Sequence, residues 1–109
     1  MERDLKEKDI ESLILDYLNK RGIFAFKVNT VGIFDPVKKV YRSMGKFTLK
    51  GTSDILGIMK GGRFLAIEVK SKRGKVSKEQ KAFLYRVNKL GGLGFVARSL
   101  EEVRNELDE

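Results

Sequence analysis

The chain contains no cysteine and no histidine, and these two absences narrow its chemistry at once. Without cysteine there are no disulfides and no thiolate metal sites. Without histidine there is no imidazole-bound zinc and no His-based acid–base catalysis. Any bound metal must be held by oxygen, which favours Mg²⁺ or Mn²⁺. Proline occurs once, at Pro36. The N-terminal Met1-Glu2-Arg3-Asp4 is charged, and no apolar run approaches the roughly 20 residues that a membrane span needs. A soluble, cytoplasmic protein with no membrane association is expected.

What is present is basic charge. Lys and Arg number 23 against 15 Asp and Glu, a formal charge of +8 in 109 residues of which 41% are hydrophobic. That length and apolar content fit one small domain spanning 1–109. Polyanions are its natural partners, although charge alone fits a merely soluble basic protein equally well.

Apolar residues at Ile10, Leu13, Ile14, Tyr17 and Leu18 follow helical spacing between Asp4 and Arg21, with Gly22 as the stop. Ile23 to Asn29 alternates and reads as a strand. Thr30 to Gly51 mixes Pro36, glycines and lysines, and reads as a long loop or irregular hairpin. Ser53 to Met59 and Arg63 to Lys70 form a hairpin about Lys60-Gly61-Gly62. Ser77 caps a helix running to about Leu90, with Gln80 at the far end of a capping box. Leu93 to Ala97 is a last strand and Ser99 caps a last helix. The order is αβββαβα.

The hairpin matters because of what it carries. Asp54 lies near the start of its first strand, and Glu68-Val69-Lys70 closes its second. Residues two apart on a strand point the same way, so Glu68 and Lys70 emerge side by side. Antiparallel pairing would bring the Asp54 carboxylate to Glu68. With the Val69 backbone carbonyl these could supply three oxygen ligands, leaving positions for water and a phosphate oxygen. Lys70 could orient the water or stabilise developing negative charge. Taken singly, each residue reads as an ordinary turn or strand-end charge; as a set they point to metal-dependent hydrolysis of a phosphodiester.

Asp54 followed by Glu68-Val69-Lys70 matches the PD-(D/E)XK nuclease motif, and the surroundings resemble the VRR-NUC branch of that superfamily. The corresponding stretches are Glu7-Lys8-Asp9-Ile10-Glu11, Val28-Asn29, Gly51-Thr52-Ser53-Asp54, Glu68-Val69-Lys70 and Ser77-Lys78-Glu79-Gln80. Ser53 stands where that branch has proline, and Glu11 where it has Gln. Counted back from Gly22, Glu11 also matches the helix carboxylate of archaeal Holliday junction resolvases. The resemblance implies a restriction-endonuclease-like α/β core, a central mixed β-sheet flanked by helices. At about 100° per residue Glu11 lies at the edge of the apolar arc and Glu7 nearer the frayed end, so Glu11 is preferred as the helix carboxylate. Either could equally be an ordinary surface acid. Gln80 fits a capping box as well as a contact in the site, and the resemblance adds it as a supporting residue.

Lys38, Lys39, Arg42, Lys46 and Lys50 precede Asp54, and Lys72, Arg73, Lys75 and Lys78 follow Lys70. Two clusters flanking one strand pair would make a groove for phosphates, although a solvated loop is the default for any charge run. The interleaved Tyr41 and Phe47 could stack on a base, with apolar contacts the commoner use. The expected function is a Mg²⁺- or Mn²⁺-dependent endonuclease acting on DNA. Similarity to stand-alone VRR-NUC proteins and junction resolvases implies a homodimer and branched DNA such as a Holliday junction. The alternative is a nucleic-acid-binding module of the same fold without catalysis.

Overall fold

The structure, a computed structural model, describes residues 4–28, 34–35, 37–38, 40–41 and 51–107. Helix α1 (Glu7–Lys20) buries Ile10, Ile14 and Leu18 along one stripe. It ends in a Schellman motif: Gly22, at φ 79°, donates to the Asn19 carbonyl, and Ile23 donates to that of Leu18. The helix begins three residues later than its apolar spacing predicts, at Glu7 instead of Asp4. Leu5 is exposed and Lys6 caps without a side-chain bond, so residues 4–6 gain no core contact that would offset their ordering.

Strand β1 (Phe24–Lys27) follows, then two short strands, β2 (Phe34–Asp35) and β3 (Val40–Tyr41), which pair antiparallel. The long insertion therefore contains a hairpin. Strands β4 (Ile55–Met59) and β5 (Arg63–Val69) flank a tight turn over Lys60–Gly62. Helix α2 (Lys78–Lys89), strand β6 (Leu93–Ala97) and helix α3 (Leu100–Leu107) complete the chain.

The main sheet runs β1-β4-β5-β6, with β5–β6 parallel and the other pairs antiparallel. Ala25, Ile55, Leu65, Ile67, Val69 and Ala97 share one face and pack with Ile10, Ile14, Leu18 and Val103 from α1 and α3. Helix α2 packs against β5 and β6. Asn88 near its end holds Gly94 of β6 through both amide atoms, each at 2.8 Å. A cross-strand row of Phe24, Ile58 and Phe64 stays exposed. No helix among the described residues is long and apolar enough to cross a membrane.

Candidate active site

The β4–β5 register pairs Ile55 with Ile67, and one step beyond it Asp54 meets Glu68. Asp54 is tied from both sides. Its carbonyl accepts the Val28 N–H at 2.7 Å, and its Oδ2 accepts the Val69 N–H at 3.0 Å. In an extended strand the N–H and C=O of one residue project to the same edge, so the Val69 carbonyl opens toward the Asp54 side.

Glu68 is 1% exposed. Its Oε1 accepts from Gln80 Nε2 at 2.9 Å and lies 3.9 Å from Lys70 Nζ. Its Oε2 is buried and has no donor among the described residues. Burial, a carboxyl–carboxyl hydrogen bond with Asp54 and repulsion from the Asp54 charge push the Glu68 pKa from 4.5 to about 8; Lys70 opposes the shift and Glu7 adds to it. Burial and the neighbouring carboxylate both disfavour the charged form of Glu68.

Gln80 serves two partners at once. Its Oε1 accepts the Ser77 N–H at 2.8 Å while Ser77 Oγ accepts the Gln80 N–H at 3.1 Å, closing the capping box. That leaves Nε2 for Glu68, so the cap and the site contact are one arrangement. Gly51 lets α2 sit so close: at φ +80° a Cβ there would lie 2.4 Å from the Glu79 carbonyl carbon.

Glu11 is buried and pairs with Lys27 Nζ at 3.2 Å. Lys27 alternates with Ala25 and so belongs to the sheet face that α1 covers, whereas Glu68 meets α2. It is the charge of Glu7 that is felt at Glu68. The structure thus brings Asp54, Glu68, Lys70 and Gln80 together and pairs Glu11 with Lys27. The Lys27 partner was not readable from spacing within one helix, because it depends on how α1 lies across β1.

Lys72, Arg73, Lys75 and Lys78 lie exposed on the segment from Lys70 into α2. Lys38 is exposed in the turn between β2 and β3. Lys39, Arg42, Lys46, Lys50, Asn29 and Phe47 lie outside the described residues, as does the side chain of Tyr41. Sequence reasoning also passed over Arg98, whose guanidinium meets the backbone of the segment after Lys70.

The donor set fits a hard divalent cation. A second carboxylate faces Glu68, a buried carboxylate oxygen lacks a donor, and the raised Glu68 pKa marks a negative charge that the protein alone offsets poorly. Among the described residues no group of three acidic side chains forms. A cation here would rest on two carboxylates and would keep several other oxygen ligands, as Mg²⁺ does.

A mixed sheet with an acid pair and a lysine at the end of one hairpin defines a nuclease-type fold. The VRR-NUC domain model matches residues 5–101, and the chain belongs to that family. A solved structure described as a VRR_NUC domain protein superposes with a TM-score of 0.68 at 16% identity, covering 97% of this chain and 88% of that one. No curated protein matches the chain.

Proposed function

We propose that the protein is a Mg²⁺- or Mn²⁺-dependent endonuclease that hydrolyses DNA phosphodiester bonds, working as a homodimer on branched DNA. The observation that carries the chemistry is Glu68, buried with one oxygen free of donors, facing Asp54 and flanked by Lys70. Asp54, Glu68 and the Val69 carbonyl are the groups that would hold the cation. Bound there, a divalent cation would supply positive charge to the scissile phosphate and would lower the pKa of the attacking water.

The protein's own residues do the rest. Gln80 fixes Oε1 of Glu68 and so leaves Oε2 for ligation. The Val69 N–H fixes Asp54. Lys70, half-buried beside Glu68, orients water or stabilises the developing oxyanion. Glu7, whose charge is felt at Glu68, is the stronger candidate for the helix carboxylate, and Glu11 the alternative. The basic residues Lys72, Arg73, Lys75 and Lys78, with Lys38, Lys39, Arg42, Lys46 and Lys50 from the insertion, supply phosphate contacts. The branched substrate and the dimer rest on similarity to junction resolvases. A four-way junction has two-fold symmetry, which two related active sites match.

The test is incubation of purified protein with labelled junction, flap and linear duplex in Mn²⁺, alongside a measured solution mass. Junction cleavage by a dimer is expected. No cleavage of any substrate at excess protein would sink the enzyme reading, and binding without cleavage or metal uptake would favour the non-catalytic module. Lys70→Ala should lower kcat by about 10²–10⁴-fold with DNA binding largely kept. Glu7→Gln should cost more activity than Glu11→Gln.

A further inference from the structure

Strands β5 and β6 are parallel and end level with each other, Val69 beside Ala97, with the Lys70 N–H on the Ala97 carbonyl at 3.0 Å. Ligands of α/β sheets gather at the carboxyl ends of parallel strands. There the chain leaves β5 through residues 71–76, which carry Lys72, Arg73 and Lys75, and leaves β6 through Arg98. Arg98 Nη1 lies 2.7 Å from the Ser71 carbonyl oxygen, 2.7 Å from that of Gly74 and 3.4 Å from that of Lys72. The Gly74 N–H closes a turn onto the Ser71 carbonyl at 3.1 Å within the same stretch.

The clamp is itself anchored. The Arg98 N–H donates to Glu102 Oε1 at 2.7 Å, and Ser99 Oγ caps the same helix by accepting the Glu102 N–H at 3.2 Å. A guanidinium placed beneath a segment with three further cations adds repulsion, so its position has to be explained by what it holds. Its Nη1 carries two N–H groups, enough for charge-assisted hydrogen bonds to the Ser71 and Gly74 carbonyls, with the Lys72 carbonyl a longer third contact.

We propose that Arg98 is a positioning residue for nucleic-acid binding: it presets the backbone of residues 71–74 so that Lys72, Arg73 and Lys75 meet phosphates on an already ordered segment. A loop ordered before binding loses less entropy on binding, which raises affinity without adding a contact to the ligand. The identity of the ligand rests on the nuclease reading above; the clamp does not.

The experiment compares Arg98→Met and Arg98→Lys with the wild type, with and without the Lys72→Ala, Arg73→Ala, Lys75→Ala background. Hydrogen exchange over 71–76 is measured on the free protein, and Kd, KM and kcat on labelled junction DNA. In Arg98→Met, exchange over 71–76 should quicken by about tenfold or more while β4, β5 and α2 stay protected. DNA Kd and KM should rise by about tenfold with kcat changed less than about twofold, since Lys70 is held by Ala97 instead. Arg98→Lys keeps the charge on a side chain that ends one bond short of Nη1 and should recover only part of the protection. In the triple-alanine background Arg98→Met should weaken binding no further. Unchanged exchange over 71–76 overturns the clamp. Faster exchange with unchanged Kd, or a full extra loss in the triple-alanine background, overturns its role in binding. Wild-type protein that binds no DNA would instead overturn the nuclease reading and the binding role with it, while the exchange result still decides the clamp.

Discussion

Glu68 keeps its proton at pH values where an exposed glutamate has lost it. Below pH 4.5 the group is protonated in both folded and unfolded chains. Between 4.5 and about 8 the folded protein retains a proton that the unfolded chain has released, so stability falls as pH rises through that window and levels off above it. Urea unfolding of metal-free protein from pH 4 to 9 should show this decline, amounting to several kcal/mol, and Glu68→Gln should flatten most of it. Cation binding requires the ionised form, so Mn²⁺ affinity by calorimetry should strengthen across the same window with proton release; affinity independent of pH would mean that Glu68 is not a ligand. Ser53 presents a simpler case. It is fully buried and its hydroxyl has no partner among the described residues, so Ser53→Ala should stabilise the fold by about 1 kcal/mol in the same denaturation assay. The meeting of Asp54 and Glu68 could be read from a two-glycine turn between alternating strands. The burial that raises the Glu68 pKa could not, because it depends on α2 laying Gln80 over the carboxylate.

The first turn of α2 is the element on which the site depends. It is fixed from one end by Ser77 and from beneath by Gly51, whose missing side chain admits the Glu79 backbone. Gly51→Ala faces both a left-handed backbone and a contact of 2.4 Å; it should cost about 1–3 kcal/mol and, by displacing Gln80 from Glu68, reduce Mn²⁺ affinity by about 10-fold or more. Ser77→Ala, which removes one cap bond and moves no backbone, should cost about 1 kcal/mol with a smaller effect on the metal. Equal losses of metal affinity would argue that packing at Gly51 does not position Gln80. The cap itself was legible, since Ser77 and Gln80 stand at the three-residue spacing a capping box uses. That the same amide also reaches Glu68 was not, because one half of the contact lies twelve residues away on another element. The insertion after β1 shows the same limit: its pairing of Phe34 with Tyr41 gives no sustained alternation to read.

At the scale of the whole molecule the question is where a formal charge of +8 meets its partner. The order of elements was legible because each strand and helix carries its own period and stop signals, from the Gly22 stop of α1 to the Ser99 cap of α3. The way Arg98 gathers the backbone after β5 was not, because its contacts span 24 to 27 residues and exist only once β5 and β6 lie parallel. That arrangement puts Lys72, Arg73 and Lys75 just after β5 and its Glu68, so on the proposed reading phosphate attraction and the acid pair would act on the same region. Each phosphate neutralised releases counterions, and log K should fall linearly with log salt by about 0.9 per contact on duplex arms. The Lys72→Ala, Arg73→Ala, Lys75→Ala protein should therefore show a slope shallower by up to about 2.7, whereas Asp54→Asn, which leaves these cations in place, should keep the wild-type slope. Fluorescence anisotropy with labelled junction DNA, titrated from low to moderate salt without divalent metal, measures both. A triple variant with an unchanged slope would move the phosphate contacts away from the β5–α2 segment and turn the search to the basic residues in the sequence between β1 and β4.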